Sequence, residues 1–228
     1  MEKMEKMEKM ENWNHNDHYL AHALVKETAP FTAATEKIRH TNYPQMEVSP
    51  LQGKFLYLLT KITGATNVLE IGTFFGYSTM WFAQALPDHG KITSIELTEK
   101  FVHMAEENLQ NAGLLHKANL IHGDANILLE EYAKAGHPPY DMIFIDAHKP
   151  SYPNYLRLAL QLSRPGTVII GDNIILDGQL ANMENNNPKA KNVRQFIDDL
   201  ARLENIESTA LQTVGIKGYD GFTVSLVK

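Results

Sequence analysis

From residue 67 onward the chain repeats one motif: a short apolar run rich in β-branched residues, then a segment of helical length and pattern. The runs fall at 67–72 (NVLEIG), 91–96 (KITSIE), 118–122 (ANLIH), 140–146 (YDMIFID) and 166–172 (GTVIIGD). Strands that alternate with helices pair in parallel, because each crossover must pass over a face of the sheet, and both faces then become buried. Two further strand-like stretches, 207–215 and 220–227, lie close together around Gly218 and Gly221. They read as an antiparallel hairpin closing one edge. The expected fold is α/β: a doubly wound, mostly parallel, Rossmann-like sheet with an antiparallel C-terminal hairpin.

Residues 16–63 read as mostly helical extra elements. Leu20, Ala23 and Leu24 share one face, and Leu51, Phe55, Leu58, Leu59 and Ile62 form a second stripe at helical spacing. Pro30, Pro44 and Pro50 punctuate the segment. The opening MEKMEKMEKM is a triplet repeat. Its Glu2–Lys6 and Glu5–Lys9 pairs are worth only about 0.2–0.5 kcal/mol each in a helix. Residues 1–15 are therefore expected to be a frayed or disordered tail, and 16–228 a single domain.

The net charge of −6 gives no broad basic surface for a nucleic acid. With no cysteine in the chain, thiolate metal sites, disulfides and a cysteine nucleophile are excluded. No run of roughly 20 apolar residues is present to span a membrane, and no signal-peptide core opens the chain. A cytoplasmic location is the expectation.

Ligands of such sheets sit beyond the carboxyl ends of the strands. Five strands deliver Glu70–Gly72, Glu96, Gly123–Asp124, Asp146 and Asp172–Asn173 to that edge. The first turn reads Glu70-Ile71-Gly72-Thr73-Phe74-Phe75-Gly76-Tyr77-Ser78. A dinucleotide turn needs a second glycine where Phe74 stands, so that backbone can approach a pyrophosphate. A phosphate-free cation such as the sulfonium of S-adenosylmethionine suits acidic Glu70 better. Glu96, ending the second strand, can accept both hydroxyls of a ribose. Asp124, before Ala125, can cap a helix or accept from an adenine amino group.

Asp146, Asp172 and Asn173 offer three oxygen ligands from two adjacent strand ends. Oxygen-only ligation suits Mg²⁺, Mn²⁺ or Ca²⁺. Lys149, three residues beyond Asp146, can serve as general base toward a substrate hydroxyl. His148 is assigned no role. The polar stretch 174–191, with three consecutive asparagines, follows the ligand set and reads as a substrate-side loop.

The ordered set LEIGTFFGYST, SIE, GDA, FIDAHK and GDN, with YPQMEVSPLQGKFL before it, resembles the cation-dependent O-methyltransferases of the catechol and caffeoyl-coenzyme A type. The likeness spans about residues 44–228. It implies a class I S-adenosylmethionine-dependent methyltransferase fold, with Asp146, Asp172 and Asn173 as metal ligands and catalysis at Lys149 beside Asp146. It implies cofactor contacts at Glu70, Gly72, Ser78, Glu96, Asp124, Ala125 and Asp146, with Met46 and Val48 from the entrance segment. The implied reaction moves a methyl group to one hydroxyl of a small catechol-like vicinal diol, in a homodimer. Two alternatives stand beside it. One is a tRNA wobble 5-hydroxyuridine O-methyltransferase, against which the acidic balance weighs. The other is a cofactor-binding module without catalysis, disfavoured because the ligand set and Lys149 are all intact.

Overall fold

The computed structural model describes residues 2–228, with side chains described from Met7 onward. Three helices precede the first strand: α1 (Glu2–Leu24), α2 (Ala29–Arg39) and α3 (Pro50–Thr63). The repeat expected to fray is thus helical from Glu2. α1 has only a weak apolar face, at Leu20, Ala23 and Leu24 near its end, and its repeat is helical because glutamate and lysine are good helix formers without one. Asp17 ties it to the body by accepting from the Ile216 N–H at 3.0 Å. α3 carries its start and stop signals in the sequence. Ser49 accepts from the Gln52 N–H, Pro50 takes the first helical position, and Gly64 ends the helix in the left-handed region.

The alternating region then gives β1 (Asn67–Ile71), α4 (Tyr77–Ala85), β2 (Lys91–Glu96), α5 (Glu99–Asn111), β3 (Ala118–His122), α6 (Ala125–Lys134), β4 (Met142–Ile145), α7 (Tyr152–Gln161), β5 (Val168–Asp172) and α8 (Pro188–Arg202). The chain closes with β6 (Ile206–Gly215) and β7 (Gly218–Val227). The seven strands form one sheet in the order β3-β2-β1-β4-β5-β7-β6. β1 pairs in parallel with β2 and with β4, while β7 runs antiparallel to β5 and β6. The hairpin turns at Ile216–Lys217, beside Gly218. Gly221, expected near the turn, instead lies within β7 opposite Gln212. It is glycine there because a Cβ would come 2.4 Å from the Leu211 carbonyl oxygen.

Strand periodicity sorts the core into two layers. Leu69, Ile71, Ile143, Ile145 and Ile169 face α6, α7 and α8. Val68, Ile92, Met142, Phe144 and Ile170 face α2, α3 and α4. β4 and β5 are buried along their whole length, as expected of central parallel strands. The order reverses between β1 and β4, so the topological switch point opens a crevice beyond their carboxyl ends. Among the described residues no helix is long and apolar enough to cross a membrane.

Candidate active site

The crevice has a volume of ≈ 580 Å³. Gly72, Ser78, Glu96, Asp124, Ala125, Asp146, Lys149, Asp172 and Asn173 all line it, and so do Met46 and Val48 of the entrance segment. Residues scattered over the chain thus converge as the strand-end reading requires. Position 72 of the first turn cannot carry a side chain. Its φ is +100°, and a Cβ would meet the Asp146 carbonyl oxygen at 2.0 Å.

Glu96 organises that turn. One carboxylate oxygen accepts the N–H groups of Thr73 (3.2 Å) and Phe74 (2.8 Å), and the other accepts that of Thr98 (2.9 Å). These bonds hold Phe74 at φ +49°, an unusual setting for a bulky residue. The two roles open for Asp124 are both compatible with its position. It caps α6 by accepting from the Asn126 N–H at 2.8 Å, and it lines the crevice.

Glu70 behaves differently from its expected role. It is fully buried under α4 and is absent from the crevice wall. Its carboxylate accepts from the hydroxyls of Ser78, Thr79 and Ser94 at 2.5–2.6 Å. Burial pushes this carboxyl up to about 7, against the pull of those three hydroxyls and with a further push from Asp146. It props the floor beneath Ser78, which does reach the crevice.

Asp146 and Asp172 lie at the ends of adjacent strands β4 and β5, with Asn173 next in the chain at φ +51°. Asp172 is buried, and burial followed by the charge of Asp146 raises its carboxyl to about 7, while Lys149 opposes the rise. The Lys149 Nζ lies 3.2 Å from Asp146 Oδ1, 3.0 Å from Asn173 Oδ1, 3.1 Å from the Asp172 carbonyl and 2.6 Å from the Tyr152 hydroxyl. An ammonium drawn to those oxygens marks a locus that favours positive charge. Two crowded carboxylates and an amide oxygen fit a hard divalent cation. Among the described residues no group of three or more His, Cys, Asp or Glu side chains gathers to hold a metal. The set here is two carboxylates and an amide.

Several residues of the site, on its wall or behind it, are not legible in the sequence. Phe101 packs edge-on to Phe74 with centroids 5.0 Å apart, on the side of Glu96. Gln52 lines the crevice from α3. Buried Tyr152 donates to the Asp172 carbonyl at 2.7 Å while receiving Lys149. Lys189 and Lys217 stand on the wall. The Lys149–Tyr152 spacing of three was the only trace of these in the sequence. His148, on the rim, has Ser151 Oγ 3.3 Å from its Nδ1.

A doubly wound sheet closed by an antiparallel hairpin, with an acid at the tip of β2 and no phosphate-binding glycine turn, defines the class I S-adenosylmethionine-dependent methyltransferases. Residues 16–226 match the O-methyltransferase family model, and the chain belongs to that family. It is 41% identical over 212 residues to a catechol O-methyltransferase of Niastella koreensis, covering 93% of this chain and 96% of that one. A catechol O-methyltransferase of Mycobacterium tuberculosis is 35% identical over 212 residues, 93% of this chain and 94% of its own. An O-methyltransferase from Bacillus cereus in complex with SAH superposes with a TM-score of 0.93 at 41% identity, covering 96% of this chain and 100% of that one.

Proposed function

We propose that this enzyme methylates one hydroxyl of a small catechol-like vicinal diol, with a divalent cation held by Asp146, Asp172 and Asn173 and with Lys149 as the base. The observation that carries the reading is the position of Lys149, whose Nζ reaches an oxygen of Asp146 and one of Asn173 from the side of the crevice. The names of the two catechol O-methyltransferases support the substrate class.

The parts then divide the work. Glu96 keeps lone pairs free of its backbone bonds and accepts the ribose hydroxyls of the methyl donor. Asp124 and Ala125 face the adenine. Gly72, Ser78 and Asp146 surround the amino-acid end, with Met46 and Val48 closing the entrance side. A bound Mg²⁺, Mn²⁺ or Ca²⁺ would supply Lewis acidity toward the diol. Lys149, once neutral, takes the proton of the attacking hydroxyl, and Tyr152 fixes where its Nζ can go. That oxygen attacks the methyl carbon in line, and the leaving sulfur takes the electron pair of the broken C–S bond. The rest of the gain comes from holding the two partners at contact distance.

The test is turnover of a catechol with labelled methyl donor, with and without chelator. Chelation should abolish it, and Mg²⁺ or Mn²⁺ should restore it. The Asp172→Ala variant should stay folded and lose most activity. Full activity in excess chelator would sink the metal assignment. Methylation of hydroxyuridine in tRNA is the weaker reading, as several relatives are named for catechol or caffeoyl-CoA and the chain is acidic. A cytoplasmic homodimer completes the proposal.

A further inference from the structure

A second cavity, of ≈ 610 Å³, lies among α1, α2, the entrance segment and the hairpin tip. His18, Glu27 and Arg39 line its outer part. Gln45, Glu47, Val48 and Lys217 line both this cavity and the crevice, so they form the partition between the two. The partition is clasped by one ion pair. Lys217 Nζ donates to Glu47 Oε1 at 2.6 Å and to the Gln45 carbonyl at 3.2 Å.

Both ends of the clasp lie on irregular backbone. Glu47 sits in the segment between α2 and α3, and Lys217 occupies the two-residue hairpin turn. The Glu47 side chain is only 5% exposed, and its second oxygen, Oε2, is buried without a hydrogen-bond partner. A buried carboxylate oxygen without a donor is costly.

We propose that the second cavity is a subsite for the non-reacting tail of the methyl acceptor. The Glu47–Lys217 pair closes it off from the crevice. The inference rests on the proposed diol activity. It makes the clasp a determinant of acceptor length: compact diols react with it shut, and extended ones must displace it.

The experiment compares pyrocatechol with the quinic ester of caffeate, a diol with a hydroxylated tail. The proteins are wild type, the double variant Glu47→Ala/Lys217→Ala, and Glu47→Gln. The double variant opens the partition without stranding a buried charge. The ratio of kcat/KM, long acceptor over short, should rise by about tenfold or more, the low end of what pocket shape delivers. The gain should come through KM of the long acceptor. Glu47→Gln, which weakens the clasp and changes no volume, should move the ratio the same way by less. It decides the matter if the double variant fails to bind methyl donor by calorimetry. If the wild type methylates both diols and the ratio stays put in the variants, the subsite is overturned and the diol activity stands. If the wild type methylates neither, both fall.

Discussion

Lys149 reaches four oxygens, and only one of them, the Tyr152 hydroxyl, belongs to a residue outside the proposed ligand set and its backbone. Replacing it with methionine keeps the stem's bulk and removes the amine. Methyl transfer in single-turnover experiments should fall by about 10²–10⁴, the usual worth of a positioned base. The loss should shrink for nitrocatechols, which arrive largely ionised. Equal losses across a series of catechols of differing acidity would remove Lys149 as the base. Glu70 makes a prediction of a different kind. Burial holds its carboxyl at about 7 in the folded protein, against about 4.5 for a free glutamate. Between those values the folded state binds more protons than the unfolded one, so stability falls as pH rises through that window and levels off above about 7. The shift corresponds to about 3 kcal/mol at most. The variant Glu70→Gln keeps the acceptor oxygen without the charge. Urea unfolding at pH 5 and pH 8 should show its stability gaining on wild type toward the higher pH, and a constant difference would mean that Glu70 is not the titrating group.

At the scale of elements, β2 and β3 stand where the sequence placed them, and the other strands shift by one to two residues at their ends. That is because period-two burial and β-branched composition are local properties. The convergence of strand ends was equally legible, since topology alone supplies it. What local pattern could not carry was Glu70, whose burial depends on α4 lying over the sheet, and the Glu47–Lys217 pair, which joins residues 170 apart. Nor could it carry the turn after β5. Leu176 and Asp177 both adopt positive φ, +56° and +54°, a setting that costs about 1–3 kcal/mol per residue. The strain is held by Asp220 in β7, whose Oδ1 accepts from the N–H groups of Ile175 (2.8 Å), Leu176 (3.2 Å) and Gly221 (2.9 Å). Asp220→Ala leaves these donors without that acceptor and should destabilise the protein by about 1–3 kcal/mol. Because Asn173 leads into this turn, Mn²⁺ affinity by calorimetry should fall with it. Asp220→Asn, which keeps an acceptor oxygen, should recover most of both. Unaltered unfolding midpoints in Asp220→Ala would show that the turn holds itself.

At the scale of the whole molecule, the sheet ends on β6, whose residues are exposed on both faces from Glu207 to Val214. Leu211 and Leu226 lie on the same sheet face as Phe222, which packs on Phe55 of α3 with ring centroids 5.1 Å apart. They remain 51% and 46% exposed. On α3 itself Leu58 and Ile62, one turn apart, are 47% and 79% exposed, and α1 adds Tyr19, Leu20 and Leu24. α1 packs against both α3 and β6, so the elements that carry these side chains adjoin. An apolar region of this kind beside an open sheet edge is unusual for a monomer. The proposed homodimer would bury it through a two-fold contact, in which each residue serves both partners. A single substitution is therefore felt twice. Ile62→Asp, at the most exposed of these positions, should leave the fold intact, because the side chain has little packing to lose within its own chain. Its cost in association should be about 2 kcal/mol or more, the range of an interface hot spot. Light scattering over a dilution series should give a dimer for wild type and a lower mass for the variant at the same concentration, with circular dichroism unchanged. A wild-type protein that stays monomeric at the highest concentration would refute the dimer. A dimer indifferent to Ile62→Asp would move the contact away from α3.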